Sequence, residues 1–467
     1  MLGKKLISVI NRMSGVEKRA FSKYLASPYH NQRKELIQLW NEILKGYGEQ
    51  STGMNLEESI RQIFPPNVFD KKGLRHLSSW MLKSIEAFFV LRKSAENKFE
   101  QELSLAQTYR KKRIDNLFKR QLEKAAAINA HRKLDTERYF AEYRLQFEQY
   151  AFIESQNRTD STNLQGLSDS LDLYLVVSKL KQSCLMLSHQ AVYKVQYDFS
   201  FLENLLEFLK GHPLLEQPSV GLYYHCYRAF SQNDSTHFYA FKNLLTQYKE
   251  EFSPQEIRSL LLFAINFCIR QMNEGDTNYT KEAWDLYLLG LDQKLLYIDK
   301  FLGRFTYKNI VALGIKLKSY HWTEGFINDY RDDLKPKYQQ NYYNYNLAQL
   351  AFAQGDYQSA MPMLAQVDDS DLLLNFDAKV ILIKMYFELE EIDALHSLLD
   401  SFRVMLQRKK VVGYHKSYYQ DLILLTRKLL DIPSGKSQHR DSLKTMIEEK
   451  QKFPEKTWFL EMLASGR

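Results

Sequence analysis

Between residues 341 and 408 the chain carries one pattern twice: NYYNYNLAQLAFAQGDYQSAMPMLAQVDDSDLLL, then NFDAKVILIKMYFELEEIDALHSLLDSFRVMLQR. At an offset of 34 residues, Ala348 falls on Leu382, Ala360 on Ala394 and Leu364 on Leu398. Each copy reads as two short amphipathic helices joined by a turn. A helix–turn–helix unit of this period cannot bury its apolar face alone, so it predicts stacking against further units.

Arrays of that kind grow by adding units, so 467 residues need not divide into domains of ordinary size. Gly (18) and Pro (10) together make 28 residues, about 6 % of the chain, against roughly 12 % in average usage. Few turn formers and long apolar-periodic runs predict an all-α protein. The 30 Tyr and 28 Phe are expected to fill the space between neighbouring helices.

The cysteines extend the period backwards. Cys184, Cys226 and Cys268 are each 42 residues apart and lie in apolar runs, KQSCLMLS, LYYHCYRAF and INFCIRQM. Continuing the series gives Gly314, Ala348 and Leu382, at spacings of 46, 34 and 34. Five of these six residues are small, which suits a close helix approach midway along the first helix of a pair. A second small residue follows 11 to 15 positions later in the last five units: Ala240, Ala283, Gly325, Ala360 and Ala394. The cysteines are therefore expected to be buried packing residues, since an apolar setting disfavours the reactive thiolate.

Residues 1–95 differ from the rest. An amphipathic run over 4–13 precedes a second helix, with Ser14 and Glu17 placed as a capping box. Ser27-Pro28 ends it, because the residue before proline is pushed out of the helical region. A third helix is expected over 32–45, a short one over 56–64 stopped by Pro65-Pro66, and a long one from Asp70 to about 93. Two long helices are expected over 96–156, then a polar connection over 157–169. The predicted organisation is an N-terminal helical module (1–95), helical repeats (96–408) and C-terminal capping helices (409–467).

Two resemblances can be placed on these residues. The string Ser27-Pro28-Tyr29-His30-Asn31, the later Phe64-Pro65, and Ser79, Leu82, Glu86 and Phe88 on one helix resemble the amino-terminal part of a family of uncharacterised bacterial all-helical proteins. That likeness covers roughly the first 95 residues and implies no catalytic residue. The units from 341 onward resemble tetratricopeptide repeats, with Gly355-Asp356-Tyr357 at the turn and Ala348, Ala360 and Leu364 at packing positions. The second unit has Leu389-Glu390-Glu391 at its turn, and earlier units are longer and tetratricopeptide-like. This resemblance implies a right-handed α–α superhelix of stacked helix pairs, a solenoid whose concave groove binds a peptide or partner protein. By the family's pattern the groove would be lined by Lys308, Lys318, Tyr342, Tyr345, Gln349, Phe352, Lys379 and Tyr386. Tyrosines there would supply amphipathic contact area, and lysines would pair with acidic groups of the ligand.

Motifs for chemistry are few. The chain has no H-E-x-x-H, G-x-S-x-G or G-x-G-x-x-G. Ser434-Gly435-Lys436-Ser437 lacks the earlier glycine of a phosphate loop, having Leu430 in its place. Asp368-Asp369-Ser370-Asp371 lacks the glycine and distal glutamate of a calcium loop, and is expected to start the next helix. His225 and His321 read as packing or surface residues. No enzyme activity, cofactor or metal is expected.

Charge suggests a second kind of partner. Of the formal net charge of +8, residues 92–144 hold +6, from 14 Lys and Arg against 8 Asp and Glu. The basic run Arg110, Lys111, Lys112 and Arg113 is expected on a helix as a solvated face. The alternative is contact with nucleic acid phosphates or an acidic protein, such asymmetry being a mark of either. The opening residues MLGKKLISVINRMSGVEKR lack the apolar core of a signal peptide, and no run reaches the roughly 18 apolar residues of a spanning helix. A cytoplasmic protein without membrane insertion is expected.

Overall fold

The computed structural model describes residues 3–48, 71–156, 161–193, 195–368, 371–408, 415–432, 437–450, 453 and 455–465. Among these residues are 22 α-helices, a 3-10 turn and one short hairpin, so the chain is all-α. No described helix is long and apolar enough to cross a membrane. The short helix expected over 56–64, Phe64-Pro65, Asp70 and the Ser434-Gly435-Lys436 turn lie outside the described residues. Contacts divide the chain into two compact units. One comprises residues 1–132 and 144–167, the other residues 133–143 and 168–467.

In the first unit, α1 (Lys4–Arg12), α2 (Gly15–Ala26), α3 (Lys34–Gly48) and α4 (Lys71–Glu96) share one core. Both bonds of the Ser14–Glu17 capping box form, starting α2. The turn after α2 is closed by Asn31, whose Nδ2 donates to Leu25 O at 2.9 Å while its Oδ1 accepts from Arg33 N at 3.0 Å. Phe21 meets Trp40 edge-on at 4.8 Å and Phe88 at 5.4 Å, and Trp40 Nε1 donates to Ser22 Oγ at 2.8 Å. Of the α4 residues in the resemblance, Phe88 is buried whereas Ser79 and Glu86 face solvent.

Residues 96–156 hold three helices where the sequence suggested two: α5 (Lys98–Lys111), α6 (Asp115–Ala130) and α7 (Thr136–Gln156). Arg113 takes a left-handed φ of 55°. Its N–H bonds Arg110 O, and Ile114 N–H reaches back to Tyr109 O, each at 3.0 Å. These bonds satisfy the carbonyls at the end of α5 and stop it. Phe118 of α6 and Phe152 of α7 stack at 4.3 Å.

The second unit runs through α8 (Leu164–Tyr193), whose residues from 168 onward belong here, and α9 (Leu202–Leu209), to a series of helix pairs. These are α10 (Pro218–Gln232) with α11 (Ser235–Tyr248), α12 (Pro254–Asn273) with α13 (Tyr279–Asp292), α14 (Arg304–Lys316) with α15 (Tyr320–Asp329), α16 (Pro336–Ala353) with α17 (Tyr357–Ala365), and α18 (Leu372–Glu388) with α19 (Ile392–Arg408). Each helix packs on its pair-mate. The first helices also pack on one another in sequence, α10 on α12, α14 on α16, and α16 on α18. A hairpin, β1 (Tyr297–Ile298) with β2 (Phe301–Leu302), precedes α14. After the pairs come α20 (His415–Leu430), α21 (Ser437–Glu448) and α22 (Lys456–Ser465). Their buried residues share a core with α18 and α19.

Local signals start these helices where sequence rules place them. Pro218, Pro254 and Pro336 occupy first-turn positions, and Asp234, Ser253, Asp356 and Asp371 cap with their side chains. Gly355 turns at φ +79° between α16 and α17, as the tetratricopeptide likeness implies.

The small residues are placed unevenly. Cys184, Cys226, Cys268, Gly314 and Ala348 are buried, but Leu382 is half-buried. The 42-residue spacing puts Cys184 against Cys226, thiol to thiol, and burial holds the Cys226 thiol well above its usual range. Burial likewise pushes Cys268 up to about 12. In the following pair the closest approach involves Gly314 but not Gly325. A Cβ on Gly314 would lie 2.1 Å from Thr323 Oγ1 and 3.0 Å from Trp284, whereas one on Gly325 meets nothing within 4 Å. Two residues along a helix turn the side chain away from the contact, so Thr323, fully buried, holds the position assigned to Gly325.

Gly314→Ala is expected to lower stability by about 1–3 kcal/mol through overpacking. Gly325→Ala is expected to raise it by up to about 1 kcal/mol through helix propensity. Urea unfolding midpoints measure both, and shifts of the same sign would contradict this packing.

Candidate functional site

Four carboxylates tie the last helix pairs together, and each is answered by groups from other helices. Asp371, the cap of α18, is ion-paired with Arg304 of α14 at 3.1 Å and accepts from the Tyr342 hydroxyl of α16 at 2.9 Å. Asp377, two turns along α18, takes the amine of Lys308 on one oxygen and the Tyr419 hydroxyl on the other, the latter at 2.7 Å. Glu455 takes the amine of Lys384 on one oxygen and the Tyr418 hydroxyl on the other, at 3.2 Å. Glu388 at the end of α18 accepts from Tyr357 and from Trp458 Nε1, the latter at 2.6 Å. A carboxylate withdrawn from water is costly unless paired and hydrogen-bonded, and here every one has two donors.

Beside this network lies a cavity of about 220 Å³. Its lining combines the apolar Ile315, Phe352, Ala353, Val380 and Ile381 with the polar Tyr345, Gln349, Asp377, Lys384, Tyr418 and Glu455. Two helical stripes make the facing walls. Tyr345, Gln349 and Phe352 recur at i, i+4 and i+7 on α16, and Asp377, Ile381 and Lys384 do the same on α18. Tyr345 is buried, 5 % exposed. Burial first, then the nearby Asp377 and Glu455, hold its phenol well above the ordinary tyrosine range, so it stays a neutral donor.

Of the eight residues predicted to line a groove, Tyr345, Gln349 and Phe352 meet at this cavity. Lys308 reaches its wall through Asp377, and its amine also lies 5.9 Å over the Tyr345 ring. Tyr342 is buried and spent on Asp371. Lys379 and Tyr386 are half-buried on α18 away from the lining, and Lys318 is exposed just past α14 at φ 55°.

Asp377, Ile381, Lys384, Tyr418 and Glu455 were not anticipated, and the reason is geometric. Carrying α16 positions forward by 34 gives Lys379 and Tyr386, the same side of the next unit. A space between two neighbouring helices is lined by the trailing side of one and the leading side of the next. Those sides stand at an offset of 32, from Tyr345 to Asp377 and from Phe352 to Lys384. The alternation of Asp, Ile and Lys at i, i+4 and i+7 was a visible signal for a mixed, partly buried face.

The basic run is placed otherwise than expected. Only Arg110 and Lys111 are helical, with Lys112 and Arg113 in the turn that ends α5. Arg110 Nε pairs with the buried Glu148 at 3.0 Å, and Arg144 forms a forked pair with Glu100. Arg92 lies 3.4 Å from Glu17. Lys111, Lys112 and Arg113 are exposed, at a helix end whose dipole favours cations. Asp115 opens α6 and accepts from Gln156 Nε2 at 3.0 Å.

A second titratable cluster joins α10 to α11, where His225 Nδ1 lies 2.8 Å from His237 Nδ1. One ring must donate and the other accept, so the accepting ring is neutral in this bond. Among the described residues no group of three His, Cys, Asp or Glu side chains is placed to hold a metal ion. His321 is exposed.

Comparison of the chain with protein-family models, with curated proteins and with solved structures finds no match.

Burial, then His237, lowers the His225 pKa from 6.5 to about 4. Between those values the unfolded chain binds a proton that the folded chain refuses. Its share of stability is therefore present above pH 6.5 and lost as pH falls towards 4. His225→Phe is expected to flatten that part of the stability curve measured by urea unfolding from pH 7 to 4.5; an unchanged difference between variant and parent across the window would contradict the assignment.

Proposed function

We propose that the helix pairs form a right-handed, tetratricopeptide-like superhelix acting as a non-enzymatic interaction scaffold, which holds a segment of a partner protein along the inner sides of α16 and α18. The observation that carries this reading is the cavity between the two i, i+4, i+7 stripes. Its lining combines apolar with hydrogen-bonding side chains, the combination by which binding sites fix a ligand. Its volume is below the roughly 300 Å³ at which pockets for whole small molecules begin, which supports a single side chain of a larger partner. The half-buried Phe352 suits such a surface, aromatic anchors being enriched at interface centres.

The competing reading, a nucleic-acid contact through residues 92–144, draws support from the three exposed cations at the end of α5. It is weakened by the carboxylates that already hold Arg92, Arg110 and Arg144, since each phosphate contact needs a cation free to give.

A full-length chain with a photo-crosslinking residue in place of the exposed Gln354 is expected to crosslink a polypeptide, and the product should vanish when Phe352 is also changed to Glu. The same residue in place of Lys112 is expected to give no such product. Crosslinks from position 112 alone, to nucleic acid or protein, would move the partner to the basic turn.

A further inference from the structure

The cavity's wall has charges, but none of them is available. Asp377 is taken by Lys308 and Tyr419, and Glu455 by Lys384 and Tyr418. An anionic group entering here would lie against two carboxylates, and a cationic one would have to displace a lysine already paired.

Two neutral groups remain. Tyr345 lines the cavity with a side chain more than nine-tenths buried, and its hydroxyl makes no hydrogen bond among the described residues. Gln349 Oε1, one helical turn further along the same stripe, is buried without a partner. An unmade bond at a buried polar group costs free energy, so the wall offers one donor and one acceptor to an occupant. Gln349 turns its amide about a broad terminal torsion, which lets Oε1 face the cavity. Residues at i and i+4 share one face of a helix, so one side chain entering the cavity can meet both Tyr345 and Gln349.

The size is equally selective. A cavity of about 150 Å³ holds benzene, and pockets for whole ligands begin near 300 Å³. At about 220 Å³ there is room for one uncharged side chain with an apolar stem, lying against Phe352 and Ile381.

We propose that this socket receives the carboxamide of an asparagine or glutamine side chain from the partner segment, its C=O accepting from the Tyr345 hydroxyl and its N–H donating to Gln349 Oε1. The proposal rests on the groove reading above and adds the chemistry that the groove selects.

The test uses the full chain and four blocked tripeptides, acetyl-Gly-X-Gly-amide with X = Gln, Glu, Lys or norleucine, titrated by saturation-transfer NMR. The glutamine probe is expected to bind about fivefold or more tightly than each of the others, the factor that one or two net hydrogen bonds supply. Its affinity should be the same at 50 and 500 mM salt. Tyr345→Phe removes only an oxygen without a partner, so the fold should persist by circular dichroism while the preference for glutamine over norleucine disappears. Ala353→Phe, which places a ring at the cavity lining, should abolish binding of every probe. Equal or stronger binding of the glutamate probe, weakening with salt, would overturn the proposal in favour of an acid-reading site. So would absence of binding by all four probes, or an undiminished preference in Tyr345→Phe. A lost glutamine preference with the Gln354 crosslink intact would sink this chemistry and leave the groove reading standing. The preference without any crosslink at Gln354 would do the reverse.

Discussion

Asp377 is the residue on which the arrangement of the last helix pairs turns. Its carboxylate is held by Lys308, 69 positions earlier, and by Tyr419, 42 positions later. One side chain on α18 thus fixes α14 on one side and α20 on the other, passing over α16. Apolar packing between helices is tolerant of small slides, because dispersion and burial are non-directional. A partly buried carboxylate with two required donors is not tolerant, since losing either leaves an under-paired charge. Asp371 and Glu455 repeat the device with Arg304 and Tyr342, and with Lys384 and Tyr418. The polar network therefore sets the register in which the apolar faces meet, and with it the shape of the cavity between α16 and α18.

Tyrosine is the recurring partner in these bonds, and this gives the high tyrosine content a reading beyond space filling. Tyr342, Tyr357, Tyr418 and Tyr419 each bury a ring against neighbouring helices and deliver a hydroxyl to a carboxylate. A phenylalanine would fill the same volume and leave the acid unanswered. Tyr345 stands among them, buried and lining the cavity, without such a bond. Its difference from its neighbours is chemical, since the carboxylates near it are already satisfied.

Much of this was legible in the sequence because local chemistry decides it. The Ser14–Glu17 box, the proline starts, the Asp356 and Asp371 caps and the turn at Gly355 formed as their residue types require. The 42-residue cysteine spacing also carried through, placing Cys184 against Cys226. What was not legible depends on partners far away in sequence. The end of α5 at Arg113 needs a non-glycine residue in a left-handed turn, which no local rule favours. The close approach at Gly314 falls on Thr323 and not Gly325, a difference of two positions that only the packed partner helix decides. The cavity stripe on α18 is shifted from the repeat offset because two faces that look at each other are not equivalent faces.

That shift bears on how such a surface selects. A repeat pattern read at equal offsets gathers Lys308, Lys318 and Lys379 as if they pointed one way, and so suggests an acidic ligand. In the folded chain the cations of this region divide into those consumed by carboxylates, such as Lys308 and Lys384, and those left outside the lining, such as Lys318 and Lys379. Charge at the cavity is thereby spent on holding helices in register and cannot also attract a ligand at long range. What is left for the recognition proposed above is short-range: shape, apolar contact and the two unanswered neutral groups at Tyr345 and Gln349. A surface built this way gains little from electrostatic steering. Its discrimination lies in the cost of leaving a buried hydrogen bond unmade, which rises as the socket excludes water.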